Sequence, residues 1–255
     1  AAREPEIQDL CEMLNKMGAK ITRAGTSKVY IEGVNYLNGC SHEVIPDRIE
    51  AGTFLIAAAA TLSAITISPV IPSHLKSLLQ KLQESGSKII IKNNSISIKT
   101  EKIKAVNIET APFPGFPTDL QAPFTVLMLK ATGKSIIKET IFENRMSHIE
   151  LLNKMGASIK LENNIATVSG VQKLSGRNLK GSDLRSTAAI VIAALAAENT
   201  SLVEGLEHLD RGYENLEFKL KLLGANIQRD LTENFSKISP QDNYFINDVE
   251  KLYAA

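Results

Sequence analysis

Leu152-Asn153-Lys154-Met155-Gly156-Ala157 repeats Leu14-Asn15-Lys16-Met17-Gly18-Ala19 letter for letter. Two looser copies, Leu82-Gln83-Glu84-Ser85-Gly86-Ser87 and Leu220-Lys221-Leu222-Leu223-Gly224-Ala225, complete a series. Its glycines stand at 18, 86, 156 and 224, in steps of 68, 70 and 68. Each glycine ends a stretch of helical periodicity: Ile7, Leu10, Cys11, Leu14 and Met17 share one face, as do Leu75, Leu78, Leu79 and Leu82. A glycine can take the left-handed conformation that closes a helix. So regular a period predicts a duplicated structural unit.

Outward from each glycine lies a strand, and in two copies a hairpin. Lys88–Ile91 and Ser95–Ile98 turn through Asn93-Asn94, while Ser158–Leu161 and Ile165–Val168 turn through Asn163-Asn164. Ahead of the last three amphipathic helices lie helices of another kind, Asp47–Thr61, Asp119–Ala131 and Asp183–Ala197. Each begins at an aspartate in N-cap position and is apolar nearly all round, which predicts burial. Strands follow at Ile65–Ile71, Ser135–Ile141 and Ser201–Leu206.

The reading is an α/β fold with α+β character, built from repeated βαβαββ units around buried central helices. Residues 1–46 read as the tail of a preceding domain and 47–230 as a domain of three units. Residues 231–255 read as a weakly structured extension, so the third unit is expected to stop one strand short, after Ala225–Arg229.

The composition is that of an ordinary globular chain: 255 residues, 44% hydrophobic and 22% charged, with a formal net charge of +1. That balance gives no sign of nucleic-acid or membrane partners. The longest apolar stretch, Phe54–Ala60, is far too short to span a bilayer. Two distant cysteines make no disulfide framework, and the four histidines show no metal-ligand spacing. The chain opens at Ala1 directly in charged helical sequence, so it reads as a piece of something longer.

Charge gathers where helices start: Pro46-Asp47-Arg48, Pro117-Thr118-Asp119 and Ser182-Asp183-Leu184-Arg185 before buried helices, Glu143-Asn144-Arg145 and Asp210-Arg211-Gly212-Tyr213 before amphipathic ones. Any one of these aspartates reads alone as a helix cap, and any one arginine as a surface ion-pair partner. Their recurrence at one position of a repeating unit predicts a single edge rich in helix N-termini and guanidinium groups, suited to a phosphate or carboxylate. Asp119 stands out because it follows Ala111-Pro112-Phe113-Pro114-Gly115-Phe116-Pro117, a stiff loop that holds a side chain still.

These segments, with Ala2-Arg3-Glu4-Pro5-Glu6 and Ile45-Pro46-Asp47-Arg48-Ile49-Glu50-Ala51-Gly52-Thr53, resemble the enolpyruvyl transferase family. Within it they are most similar to the UDP-N-acetylglucosamine 1-carboxyvinyltransferases, over residues 1 to about 230. The shikimate-pathway branch shares the fold but not the Glu143-Asn144-Arg145 and Asp210-Arg211-Gly212-Tyr213 signatures. The resemblance implies an inside-out α/β barrel. It also implies transfer of the enolpyruvyl group of phosphoenolpyruvate to the 3-hydroxyl of UDP-N-acetylglucosamine, the committed step of peptidoglycan synthesis, in the cytoplasm or, in a eukaryote, the plastid stroma.

By position, Asp119 is implied to hold and deprotonate the sugar hydroxyl, and Ile141 to contact the UDP-sugar. Arg145, Arg185 and Arg211 are implied ligands of phosphoenolpyruvate, Arg211 counting with Asp119 as catalytic. Asp47, Arg48, Glu143 and Asp183 are implied supports. No metal or cofactor is implied, and the partners are the two small-molecule substrates.

The family's proton-donating cysteine sits in a glycine-rich loop that has no counterpart among these residues. Cys11 falls on an apolar helix face and reads as core, while the context of Cys40 does not match that loop. The chain by itself is therefore expected to lack turnover. The competing reading is a non-catalytic remnant that binds a UDP-sugar or a protein.

Overall fold

The computed structural model describes residues 2–171, 173–231 and 249–254. Its opening segment supplies α1 (Pro5–Lys16) and an antiparallel pair, β1 (Lys20–Thr22) and β2 (Tyr30–Glu32). The first unit follows: α2 (Arg48–Ala60), β3 (Ala64–Ile67), α3 (Lys76–Glu84), β4 (Lys88–Lys92) and β5 (Ser95–Lys99). The second is β6 (Ile108–Glu109), α4 (Gln121–Leu129), β7 (Lys134–Lys138), α5 (His148–Lys154), β8 (Ser158–Glu162) and β9 (Ile165–Ser169). The third is β10 (Asn178–Lys180), α6 (Leu184–Leu195), β11 (Ser201–Glu204), the short α7 (Leu206–Leu209), α8 (Leu216–Leu222), β12 (Ile227–Leu231) and β13 (Val249–Ala254).

The repeat is visible in the sheets, ordered β3-β5-β4, β6-β7-β9-β8 and β10-β11-β13-β12. In the second and third units a strand arriving from the preceding unit pairs in parallel with the first strand of the new sheet, β6 with β7 and β10 with β11. The remaining pairs are antiparallel. Gly18, Gly86, Gly156 and Gly224 close their helices at φ between +92° and +107°, where a side chain would be strained.

Inside the ring of sheets lie α2, α4 and α6, which pack on one another. All nine residues of α4 are buried, as is all of α2 except Glu50. An ordinary protein puts a helix on the outside of its sheet; here apolar helices form the axis and the sheets form the wall. Each fully buried large side chain on this axis, such as Leu55, Phe124 or Ile190, stabilises the fold by roughly 1.5–3 kcal/mol relative to exposure. Among the described residues, no helix is long and apolar enough to cross a membrane.

Three expectations need correction. The third unit does not stop after Arg229: β13 sits between β11 and β12, with Ala254 opposite both Ser201 and Ile227. The pairing is long-range, so no tight turn announces it, and residues 232–248 of the expected extension lie outside the described residues. Asp119 is not an N-cap; it lies within a 3-10 turn, Thr118–Leu120, whose side chains cap nothing. Glu143-Asn144-Arg145 and Asp210-Arg211-Gly212 do not open helices either. The first precedes α5 by a turn, and Asp210 is the C-cap of α7.

Candidate functional site

Asp47 and Asp183 do what N-cap aspartates do. Asp47 accepts from the N–H groups of Ile49 and Glu50, and Asp183 from those of Arg185 and Ser186, closing a capping box with Ser186. Asp183 also accepts from Ser147 Oγ at 2.8 Å. Burial works against its charge, but these hydrogen bonds outweigh it and hold its pKa below the ordinary value. Both residues therefore fix the starts of α2 and α6, and through them the neighbouring arginines.

Asp119, freed from capping, turns its carboxylate outward. Oδ1 lies 2.8 Å from Arg145 Nη1 and Oδ2 lies 2.8 Å from Arg185 Nη2. The two guanidinium groups arrive from different units, Arg145 on the loop after β7 and Arg185 on the first turn of α6. Arg145 stacks over the Phe142 ring, 4.6 Å from its centroid, and also donates to Thr118 Oγ1 at 3.2 Å.

Arg185 is anchored from behind by Tyr213. Thr53 Oγ1 donates to the carbonyl of Ile49, so Tyr213 Oη, 2.8 Å away, donates to Thr53. The phenol oxygen is then free to accept from Arg185 Nη1 at 3.4 Å. Burial raises the pKa of Tyr213, keeping it in the protonated form this chain of bonds requires. Arg185 Nε is buried and has no partner among the described residues, so the side chain keeps a donor in reserve.

A cavity of about 310 Å³ opens over this cluster, walled by Arg48, Phe113, Asp119, Ile141, Phe142 and Arg145 among others. The proline loop forms one side and is pinned by a Ser77 hydroxyl donating to the Gly115 carbonyl and by the edge-to-face pair Phe116–Phe124. Gly115 has no room for a side chain, since a Cβ there would come within 2.5 Å of the Ala111 methyl. Arg48, only 9% exposed, grips Glu6 through Nε at 2.8 Å and lies over the Phe113 ring. Glu4 lines the same cavity. Residues assigned by sequence to the tail of another domain thus form part of this site.

The structure brings together Asp119, Arg145, Arg185, Arg48 and Ile141. Arg185 joins the others through its ion pair with Asp119 and does not itself line the cavity. Arg211, exposed, neither lines it nor takes part in the Asp119 ion pairs, and Glu143 faces a separate groove with α5. Cys11 is buried and Cys40 exposed, and neither lines the cavity. A second cavity, about 300 Å³, lies at the opposite ends of α2 and α6 near Thr61 and Leu195. Its wall carries no charged side chain, so it offers nothing for anion or proton chemistry. Sequence reading passed over Thr118, Tyr213 and Glu139 as individuals. Glu139 alone carried a signal: Ser135, Ile137 and Glu139 alternate inward along β7 and just beyond it, which puts a charge on a buried parity.

The profile of the family described as EPSP synthase (3-phosphoshikimate 1-carboxyvinyltransferase) matches residues 1–240. Two proteins called UDP-N-acetylglucosamine 1-carboxyvinyltransferase, from Prochlorococcus marinus strains MIT 9312 and AS9601, are 66% and 68% identical to this chain over 100% and 92% of its length. The chain covers 56% and 51% of them, about half the length of these curated relatives. Among solved structures, the enolpyruvyl transferase NikO from Streptomyces tendae superposes on 87% of the chain with a TM-score of 0.78 and 26% identity, over 53% of its own length. EPSP synthase from Acinetobacter baumannii shares the fold over 82% of the chain and 46% of its own, with a TM-score of 0.57 at 16% identity.

Proposed function

This chain belongs to the enolpyruvyl transferase family, an inside-out α/β fold, and from that premise we propose that it carries out its part of enolpyruvyl transfer from phosphoenolpyruvate to the 3-hydroxyl of UDP-N-acetylglucosamine. The observation that carries the proposal is the Asp119 carboxylate held between Arg145 and Arg185 at the floor of a cavity. The reaction needs a base at the sugar hydroxyl and fixed positive charge around a substrate that carries a phosphate and a carboxylate. Asp119 supports the first role, and Arg145 and Arg185 support the second.

The same ion pairs supply an order of events. Arginine binds phosphate and carboxylate in fork geometry. Phosphoenolpyruvate arriving at Arg145 and Arg185 competes with Asp119 for those donors, and its success releases the carboxylate oxygens to the sugar hydroxyl. The hydroxyl oxygen then bonds to C2 of the enolpyruvyl group while Asp119 takes the hydroxyl proton, and the methylene carbon takes a proton from an acid. Loss of that methyl proton and departure of inorganic phosphate restore the vinyl group on the sugar. The cavity holds a group the size of phosphoenolpyruvate or one sugar ring, so the uridine end lies outside it.

The test is phosphate release from phosphoenolpyruvate that depends on UDP-N-acetylglucosamine. It is measured with the chain as it stands and with the chain supplemented by the amino-terminal part of a Prochlorococcus relative. Release above a blank in either setting supports the proposal. Binding of the sugar nucleotide with no release in either would favour the non-catalytic reading, and neither binding nor release would reject both.

A further inference from the structure

The sequence comparison and the site geometry leave one buried charge without a task. Glu139 is 2% exposed, yet it accepts hydrogen bonds from four uncharged donors. Oε1 takes the hydroxyl of Thr110 at 2.8 Å and the backbone N–H groups of Ile141 at 2.8 Å and Phe142 at 3.2 Å. Oε2 takes the hydroxyl of Thr118 at 2.8 Å.

The direction of these bonds is fixed by their neighbours. Arginine can only donate, so Thr118 Oγ1 accepts from Arg145 and directs its single proton to Glu139. The Thr110 oxygen accepts from the N–H of Thr140 and likewise gives its proton to Glu139. A carboxylate meets this set because both of its oxygens are acceptors; an amide offers one. Burying a charge is costly unless it is fully hydrogen-bonded, so an aliphatic side chain would be the cheaper filling if packing were all the position required.

We propose that Glu139 is a positioning residue, a clasp that sets the distance between the Asp119 segment and the Ile141–Arg145 loop across the cavity. Its Oε2 holds Thr118, the residue before Asp119. Its Oε1 holds Ile141 and Phe142, whose ring carries the Arg145 guanidinium. The same hydroxyl that bonds Glu139 receives Arg145, so one carboxylate governs both members of the ion pair without touching the cavity. The inference rests on the reading of Asp119 and Arg145 as the working pair of a transferase.

Glu139→Gln and Thr118→Val test it in the supplemented transferase assay. Glutamine keeps its oxygen where three donors converge and turns its NH2 toward Thr118, which then has no acceptor for its proton. Valine removes the same link from the other side, together with the hydrogen bond that Thr118 receives from Arg145. Each variant is expected to lose about 10- to 100-fold in kcat, the scale of a displaced reacting group, with KM for the sugar nucleotide within about threefold. The double variant is expected to lose no more than Thr118→Val alone, since the link that Glu139→Gln cuts is already gone in it. A kcat within threefold of the parent in either folded variant, or losses that multiply in the double, would overturn the clasp.

If Glu139→Gln does not fold, Thr118→Val decides by the same criteria. If the parent shows no turnover, the proposed function fails and the clasp is judged by NMR on the chain itself. Movement of the Arg145 Nε–H and Thr118 methyl resonances in Glu139→Gln supports it, and unmoved resonances reject it.

Discussion

Asp119 and Arg185 stand 66 residues apart in the chain and 2.8 Å apart in the fold. Arg145, from a third segment, occupies the other carboxylate oxygen at the same distance. Arg145, which lines the cavity, can exchange Asp119 for another anion there, while Arg185 faces the cavity from behind Asp119. A helix cap is less suited to that exchange, because one of its oxygens is committed to backbone N–H groups, as Oδ1 is in Asp47 and Asp183. The 3-10 turn at Thr118–Leu120 is what separates Asp119 from Asp47 and Asp183, which stay bound to their helices.

The exchange predicts opposite effects on the two substrates when Asp119 is neutralised. Asp119→Asn removes the internal competitor of Arg145 and Arg185, so affinity for phosphoenolpyruvate should rise about two- to fivefold, the worth of a half-exposed ion pair. Turnover should fall by about two to four orders of magnitude with loss of the base. Calorimetric titration with each substrate separates these; a variant that loses phosphoenolpyruvate affinity would show that the ion pairs preorganise the arginines instead of competing for them.

Arginine substitutions should divide by position. Arg145→Ala and Arg185→Ala should each weaken phosphoenolpyruvate binding by about 10- to 100-fold, as expected for lost hydrogen bonds to a charged group, and leave sugar-nucleotide affinity within about threefold. Arg211→Ala, at a side chain outside both the cavity wall and the Asp119 ion pairs, should change either affinity by less than about threefold in this chain. Equal losses at all three positions, measured by the same titration, would put Arg211 in the site after all.

Much of this is legible in the amino-acid sequence. The four glycines and the two Asn-Asn turns marked the unit, because helix closure and tight hairpins depend on local backbone conformation. The buried helices announced themselves by lacking a polar face. What stayed hidden depended on distant partners. No local pattern tells that Asp119 leaves its cap, that β13 slips between β11 and β12, or that Tyr213 reaches Thr53. Glu139 lay between these cases: the alternation of β7 placed it inward, but only the fold shows the four donors that meet it.

Gly52 tests how tightly the axis is coupled to the site. A Cβ at this position of α2 would lie 2.5 Å from Leu120 Cδ1 and 3.0 Å from Leu78 Cδ2. Gly52→Ala gains up to about 1 kcal/mol in helix propensity but forces overpacking that costs about 1–3 kcal/mol. A net destabilisation of about 1–2 kcal/mol in urea unfolding is expected. Leu120 follows Asp119 directly, so the same variant should also weaken phosphoenolpyruvate binding. A stabilised variant with unchanged binding would show that Leu120 yields without moving its neighbour.

Acid should destabilise the protein well above the carboxylate range, through His148. This side chain is 1% exposed at the start of α5, its Nε2 has no partner among the described residues, and burial pushes its pKa down to about 4 despite the opposing pull of Asp183. The unfolded chain binds the histidine proton near its ordinary value of 6.5, whereas the folded chain refuses it until about pH 4. Stability is therefore unaffected above about pH 6.5 and falls as pH drops through that window, by about 3 kcal/mol in all. Asp183 adds a second, lower phase. Its depressed pKa contributes stability that is present above the unfolded value of 3.8 and disappears as pH falls through the folded value. His148→Leu, similar in volume and without a proton to bind, should abolish the upper phase and leave the lower one. Urea midpoints collected from about pH 7.5 to about pH 2 for both proteins check this; an unchanged slope between pH 6.5 and 4 in His148→Leu would assign the acid sensitivity to another group.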